Sequence, residues 1–375
     1  MKHYHNIKFQ TPLRWWYGFA LRYQDGFKGK REYHILSQIK FTNSAPMNWF
    51  SNQYPWHNVI ETDGFITEID LYLISLSQIP ESIGCLTSLK KLSCPYPWIA
   101  AITTNIVTLP ESIGLCSNLQ ILDLEKHQLN ELPDSLTKCI FLTELLVSNN
   151  RLTRLPYSIG YCFLLQDLSV QNNRLTSLPE SLGKCINLIY LNVSGNQIEY
   201  LYYSIGCCVS LIELDASCNK LKSLPDSIGQ CASLQHLNAS ENLIHIFNES
   251  LGNSIMLRHI NVSDNQITTL PQSICDLHCL IGLDVSFNKI SSLSASIYQI
   301  NAKYLNLSNN QLTILPEIIY ENYNVIHLNL SNNQLSFIPE SIVHCRSLKY
   351  LAISNNLFPL NHMRAIASKY SIMVL

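Results

Sequence analysis

Apolar residues recur along the chain at a spacing that fits neither one long helix nor one long strand. Aligned on a central Asn, the repeated unit reads LxxLxLxxNxLxxLPxSIGxCxx. Leu142, Leu165 and Leu188 each begin a unit, so the usual period is 23 residues. Thirteen units begin between Ile66 and Leu348. A fixed period in the twenties predicts a stack of similar coils in which each coil is one repeat.

Each part of the repeat predicts a local structure. The LxL core alternates between buried and exposed side chains, as a short strand does, and stacked repeats would align these strands into one parallel sheet. The Pro after Leu fixes φ and keeps the preceding residue extended. Ser-Ile-Gly predicts a short helical turn on the outer side, ended by the glycine. The expected fold class is therefore α/β: a curved, horseshoe-shaped solenoid with a parallel sheet on the concave face and short helical or 3-10 turns on the convex face.

The central Asn predicts a second regular feature. It follows the strand where the chain turns inward, and its amide can donate to and accept from the backbone of its own and adjacent turns. A buried amide without partners would cost about 1–3 kcal/mol, so the series predicts a hydrogen-bonded ladder. His127 takes the place of this Asn in one early turn, which we expect to be looser. The series comprises Asn150, Asn173, Asn196, Asn219, Asn242, Asn265, Asn288, Asn310, Asn333 and Asn356.

The strings "LPESIG", "LPDSIG" and "NNQLTILPE" resemble leucine-rich repeats of the Ras-signalling scaffold type, which include the plant intracellular Ras-group-related proteins. The resemblance covers residues 66–356. It implies a leucine-rich-repeat solenoid of about thirteen turns that acts as a protein-binding scaffold, regulator or adaptor. The composition also resembles that of repeat proteins that intracellular bacteria inject into host cells as effectors.

The two ends and one insertion depart from the repeat. Residues 1–65 are rich in Trp and Phe and predict a cap on the first turn or, alternatively, a basic aromatic surface for a partner or a membrane interface. Residues 357–375 predict a C-terminal capping helix. The insertion at 94–104 contains Tyr96 and Trp98, which would either contact a partner or cover the N-terminal cap.

Composition narrows the class of protein. The 375 residues are 47% hydrophobic and 14% charged, which argues against disorder, and the net charge of −2 gives no general attraction to nucleic acid. No apolar run reaches the roughly 18 residues of a transmembrane segment. Residues 1–64 hold eight Lys/Arg and four Asp/Glu, so their charge is +4 and that of the remainder is −6.

The thirteen cysteines favour a reduced protein. Most recur at one repeat position, where parallel side chains in a column do not aim at one another as a disulfide requires. We expect them to act as small buried hydrophobes in a reducing compartment. This column consists of Cys116, Cys139, Cys162, Cys185, Cys208, Cys231 and Cys345, with Ser254 replacing one member.

Glycosylation sequons point to the same environment. Five of the six arise from the strand consensus, and a glycan there would block the concave face. This favours an intracellular or bacterial protein. The sequons are at Asn192, Asn238, Asn248, Asn261, Asn306 and Asn329.

The strand residues on either side of the second Leu would form two columns on the concave face. The first column is acidic in the middle and becomes His and Tyr toward the C-terminus. Tyr and His suit protein interfaces, and the acidic residues would engage basic residues of a partner, although each position can also be an idle solvated one. The candidate partner-binding residues are Glu144, Asp167, Tyr190, Glu213, Asp215, His236, His259, Tyr304, His327 and Tyr350, with Tyr96 and Trp98 of the insertion.

The sequence offers little for catalysis or for metal binding. Glu213, His236 and His259 share a column, but three ligands in a straight row suit a tetrahedral ion poorly and no fourth ligand is evident. The His-Cys pairs at 278–279 and 344–345 are adjacent in sequence, whereas a catalytic Cys–His pair is assembled by the fold. There is no glycine-rich phosphate loop. We therefore expect no catalytic residues, no metal and no cofactor.

These features predict a monomeric, non-enzymatic module that binds a protein partner on its concave face. One hypothesis is an injected bacterial effector that acts on host signalling in the host cytosol. An alternative is a cytoplasmic scaffold or regulatory subunit of a small-GTPase or phosphatase assembly. A third is an extracellular recognition receptor.

Overall fold

The computed structural model describes residues 59–71, 78–94, 106–317, 324–339 and 347–359, with positions 342, 345 and 373–374. They form one 15-stranded sheet in which the strands follow one another in chain order. The first two strands pair antiparallel, and all later pairs are parallel. The strands are β1 (Val59–Thr62), β2 (Phe65–Asp70), β3 (Lys91–Ser93), β4 (Ile121–Asp123), β5 (Glu144–Leu146), β6 (Asp167–Ser169), β7 (Tyr190–Asn192), β8 (Glu213–Asp215), β9 (His236–Asn238), β10 (His259–Asn261), β11 (Gly282–Asp284), β12 (Tyr304–Asn306), β13 (His327–Asn329), β14 (Tyr350–Ala352) and β15 (Met373–Val374).

The strand register follows the sequence repeat. Each repeat from β2 to β14 places its second Leu or Ile opposite the same residue of the next, as Leu168 lies opposite Leu191. The residues on either side, which point to the concave face, line up in the same way. The expected solenoid with a parallel sheet on its concave face is therefore confirmed.

Short 3-10 helices lie on the convex side of the stack. Most begin directly after an extended Pro, as at Pro179 with φ −65° and ψ 137°. Each is too short to bury an apolar face alone, so the turns are stabilised by stacking on one another. In the described residues they span Glu81–Cys85, Glu111–Leu115, Asp134–Lys138, Ile159–Tyr161, Glu180–Lys184, Tyr203–Cys207, Asp226–Gln230, Glu249–Asn253, Gln272–Asp276 and Ala295–Gln299.

The glycine of Ser-Ile-Gly has a different role from the one expected. Gly183 lies inside its 3-10 helix and does not adopt a left-handed backbone, so it does not end the turn. A Cβ at this position would overlap the backbone oxygen of Ser204 in the next turn. The glycine is therefore needed for close stacking of the convex turns.

The apolar positions of the repeat form one continuous core. Leu, Ile and Val side chains of every described turn are buried, together with the cysteine column. The thiols also make contacts that the expectation of small hydrophobes did not include: Cys231 Sγ lies 3.4 Å from the carbonyl oxygen of Ile205 in the preceding turn. Ser254 replaces a cysteine and donates to the Ile228 carbonyl at 3.1 Å, so the substitution preserves the contact.

The predicted amide ladder is confirmed. Asn196 Nδ2 donates to the carbonyl oxygens of Val170 at 3.0 Å and Val193 at 2.9 Å. Its Oδ1 accepts from the backbone N–H of Leu175 at 3.0 Å. His127 keeps part of this arrangement, because it is buried with Nε2 2.7 Å from the carbonyl oxygen of Cys94. The turn that we expected to be looser is thus tied to its neighbour by the imidazole.

The ends are described only in part. The predicted aromatic cap at 1–65 falls mostly outside the described residues, and so do Tyr96 and Trp98 of the insertion. Most of the predicted helix at 357–375 lies outside them as well, although Met373–Val374 pairs with β14 as a further parallel strand. Within the parts of the chain that are described, no helix has both the length and the apolar character needed to cross a membrane.

Candidate functional site

The concave face of the sheet is a continuous strip of half-buried and exposed side chains. Strands β2 to β14 each contribute the first and third residues of a three-residue segment to it. At about 4.8 Å per strand, thirteen strands give a surface about 60 Å long. Such a surface is large enough for a standard protein interface, which needs about 800 Å² from each partner.

Stacked rings cover the C-terminal part of this strip. His327 lies between Tyr304 and Tyr350, with ring centroids 4.8 Å and 4.3 Å away and planes within 23° and 11° of parallel. The register places the three side chains on adjacent strands, so the strand spacing itself sets the stack. Tyr304 remains 51% exposed and Tyr350 37% exposed. The stack therefore offers apolar ring surface and two hydroxyl groups to a partner.

A second pair of rings lies two strands earlier. His236 and His259 stack with centroids 5.3 Å apart and planes 7° from parallel. Burial first, then the neighbouring His236 and Arg258, lower the pKa of His259 below its ordinary value of 6.5. This lowering of the pKa favours the neutral form of the His259 ring.

The middle of the strip is acidic, as the sequence predicted. Glu144, Asp167, Tyr190 and Glu213 lie opposite one another on consecutive strands, so three of four adjacent positions carry a carboxylate. Asp215, in the adjacent column, adds a further carboxylate to this stretch. In the described residues, the Lys or Arg side chain of these two columns is Lys91, which lies at the N-terminal end of the sheet. This stretch would attract a basic segment and repel an acidic one.

The third strand position has a structural role as well. Asp215 Oδ1 accepts from the backbone N–H of Ser217 at 3.0 Å and from its hydroxyl at 2.6 Å. Asn238 makes the same two contacts with Ser240, which shows that the turn needs an acceptor and not a charge. Asp215 is thus partly explained by its turn. In the first column, Asp167 Oδ1 likewise accepts from the hydroxyl of Ser169 at 2.9 Å.

The structure singles out two residues to which the sequence interpretation assigned no role. Gly282 separates His259 from Tyr304 in the first column. Phe287 is exposed and has a positive φ of 53°, a conformation that is rare for a bulky residue. Two signals in the sequence could have identified these residues. Gly282 is a glycine within a column of His and Tyr, and Phe287 is an aromatic residue where neighbouring repeats have Asn or Asp.

The described residues show neither a cluster of metal ligands nor an activated thiol in the column. Glu213, His236 and His259 follow one another along a straight column. Among the described residues, no group of three His, Cys, Asp or Glu side chains is placed to hold a metal ion. Burial raises the pKa of column thiols such as Cys162 to about 12, so these sulfurs remain protonated and unreactive at neutral pH.

Two family models match parts of the chain. One described as leucine-rich repeat matches residues 300–358, and a second leucine-rich-repeat model matches 164–185, 210–231 and 256–277. A search of curated proteins found no match.

Solved structures extend the likeness to most of the chain. A leucine-rich-repeat protein of Leptospira interrogans is 26% identical with a TM-score of 0.56, over 83% of this chain and 90% of that one. The internalin InlF of Listeria monocytogenes is 21% identical with a TM-score of 0.69, over 82% of this chain and 86% of that one. The leucine-rich-repeat ectodomain of the receptor kinase GASSHO1/SCHENGEN3 of Arabidopsis thaliana, solved in complex with Casparian strip integrity factor 2, is 23% identical with a TM-score of 0.71, over 91% of this chain but 46% of that one.

The last two likenesses, below 25% identity, show the fold alone. The repeat in the sequence, the parallel sheet in chain order and the matching repeat models agree with that fold. The protein is a leucine-rich-repeat solenoid.

Proposed function

We propose that the protein is a non-enzymatic module that binds a partner protein along its concave face. The observation that carries the proposal is the exposed stack of Tyr304, His327 and Tyr350 on the floor of the sheet. Exposed aromatic surface is unfavourable in water, and aromatic residues are enriched in protein interfaces. Leucine-rich repeats are in general binding modules, which supports the same role.

The charge pattern supports a partner with a basic segment. Glu144, Asp167 and Glu213 would face that segment, while the rings toward the C-terminus would hold its apolar part. Charge complementarity of this kind mainly speeds association and orients the partner, whereas desolvated aromatic contacts supply most of the affinity. The partner-binding residues that we propose are the ten strand residues named from the sequence, together with Tyr96 and Trp98 of the insertion.

Alanine replacement of the ring stack tests the proposal directly. A triple variant of Tyr304, His327 and Tyr350 should lose a partner that affinity purification and mass spectrometry identify with the wild-type protein. The matched control is a triple alanine variant of Tyr157, Tyr161 and Tyr203, which are exposed on the convex side. Undiminished binding by the first variant, or equal loss by both, would remove the concave face as the binding surface.

For its setting we propose a reducing cytosol, either that of its own cell, as a scaffold or regulatory subunit, or that of a host, as a translocated bacterial effector. All thirteen cysteines are free, and most are buried in a column that packs as thiols. A translocation assay with a reporter fused to the full chain separates the two roles. Delivery of the reporter into host cells supports the effector role, and its retention supports the scaffold role.

The alternative is an extracellular recognition receptor, the third hypothesis drawn from the sequence. Titration of thiols in protein isolated from its native source, denatured without reductant, decides this question. Thirteen reactive thiols would exclude a disulfide-bonded ectodomain, and fewer would favour one.

A further inference from the structure

Gly282 leaves a gap in an otherwise unbroken row of rings. It lies opposite His259 on one side and Tyr304 on the other. The remaining positions of this column from 236 to 350 all carry His or Tyr. The gap is therefore bounded by a ring at each end and has bare backbone as its floor.

The backbone at Gly282 does not explain the glycine. Gly195 adopts a positive φ of 64°, which favours glycine, whereas Gly282 does not lie in that region and pairs regularly with both neighbouring strands. Glycine inside a strand weakens it and often marks a place where a ligand approaches the backbone closely. A Cβ here would crowd the His259 ring, so the glycine lets that ring lean over the strand and keeps the side toward Tyr304 open.

The size of the gap suits a planar group. Two strand spacings separate the strands that carry His259 and Tyr304, or about 9.6 Å, and a flat group in contact with both rings needs about 7 Å. A Cβ at position 282 would lie 3.0 Å from His259 Nδ1 and 3.6 Å from its Cε1. Among the described residues, no atom of Tyr304 lies within 4 Å of that point. The slot thus has the His259 ring as its near wall and opens toward Tyr304.

A carboxylate lies at one end of this slot. Asp284 is two residues after Gly282 on the same face, and its Oδ1 accepts from the backbone N–H of Ser286 at 2.9 Å. Its Oδ2 accepts from Asn306 Nδ2 at 3.0 Å. The equivalent residue of the next turn, Asn306, supports its own turn with an amide, so the negative charge of Asp284 is not required for folding.

Cationic residues lie at the opposite end of the neighbouring strands. Arg258 and Lys303 are exposed and immediately precede β10 and β12, and Asp284 ends β11. A cation in the slot would therefore be drawn toward the Asp284 end and away from the strand entries. This polarity, together with the two ring walls, favours a group that is both flat and positively charged.

We propose that the slot between His259 and Tyr304 receives an arginine side chain of the partner protein. The proposal rests on the function proposed above and specifies which partner side chain this part of the surface recognises. The guanidinium is planar, stacks on aromatic faces and pairs with a carboxylate, here Asp284. Lysine carries the charge but lacks the plane, and a tyrosine or phenylalanine would fill the gap without using Asp284.

Side-chain NMR of the full chain can test the slot without knowledge of the partner. The protein is labelled with ¹³C at the Cε1 of its twelve histidines, and the His259 signal is assigned with His259→Gln. It is titrated with N-acetyl-arginine amide, N-acetyl-lysine amide and N-acetyl-tyrosine amide. The variant Gly282→Val fills the slot with a strand-favouring side chain. Lys91→Val is the matched control, because it introduces the same residue in the same column eight strands away.

We expect the arginine derivative to shift His259 with an affinity about tenfold higher than that of the lysine derivative. Gly282→Val should abolish the shift and Lys91→Val should retain it, with thermal melts confirming that both variants fold. Equal affinity for arginine and lysine, stronger binding of the tyrosine derivative, or no shift of His259 would each overturn the proposal. The comparison of the arginine and lysine derivatives uses the wild-type protein alone, so it remains a valid test even if Gly282→Val does not fold.

Failure of the slot and failure of the concave-face function give different results. If the arginine derivative does not bind but the triple ring variant still loses the partner, only the arginine assignment is wrong. If the triple variant keeps the partner, the concave-face function itself is wrong.

Discussion

Replacement of Asn196 by alanine tests the physical basis of the stack. The side chain joins two turns, since its Nδ2 donates to carbonyl oxygens of Val170 and Val193 and its Oδ1 accepts from the N–H of Leu175. Val170 and Val193 keep a second amide donor, from Asn173 and Asn219 respectively. The group left without a partner is therefore the N–H of Leu175, a fully buried residue.

The expected loss of stability follows from these hydrogen bonds. A buried donor without a partner costs about 1–3 kcal/mol, and the small cavity left by the amide adds about 1 kcal/mol. We expect Asn196→Ala to lower the free energy of unfolding by about 2–4 kcal/mol. Asn196→Asp should cost more, because it keeps the acceptor but directs a buried carboxylate at carbonyl oxygens.

Urea unfolding followed by circular dichroism measures the change, and hydrogen exchange of the Leu175 amide localises it. Gln197→Ala is the matched control, since Gln197 is the exposed neighbour and its loss should change stability by less than about 0.5 kcal/mol. A loss below about 1 kcal/mol in Asn196→Ala, with Leu175 still protected from exchange, would refute the view that the ladder holds the turns together.

Three further predictions follow from the convex turns, the cysteines and the stacked histidines. Gly183→Ala should destabilise the protein by about 1–3 kcal/mol in urea unfolding, because its Cβ would overlap the Ser204 backbone, whereas Ala at the exposed neighbour Lys184 should have little effect. A thiol reagent at pH 8 should label the four exposed cysteines of the native protein, Cys85, Cys207, Cys218 and Cys279, and reach the other nine only after denaturation; rapid labelling of the buried column would contradict its packing. His259 should titrate by NMR below 6.5. The unfolded chain then binds the proton more readily than the folded one, so this residue should lower the free energy of unfolding as pH falls from the unfolded pKa to the folded pKa. A titration at or above 6.5 would show that the ring is not desolvated.

Much of the fold and part of the candidate site followed from the sequence. A 23-residue repeat places equivalent residues in equivalent surroundings, so the position of Leu168 in one turn fixes that of Leu191 in the next. The same regularity predicted that Glu144 and Asp167 would share a column, and it predicted the amide ladder. In a solenoid each contact is between neighbouring repeats, and a one-dimensional pattern is enough to describe it.

Only the tertiary structure decided what depends on the space between repeats. The parallel stack of His327 with Tyr304, the gap at Gly282 and the overlap that requires glycine at position 183 all involve distances between atoms of adjacent repeats. The replacement of an amide by His127 is of the same kind, because a contact with the Cys94 carbonyl depends on the direction of the imidazole. The repeat sets which residues are neighbours, whereas rotamers and packing set how those neighbours meet, and the second is not encoded in spacing along the chain.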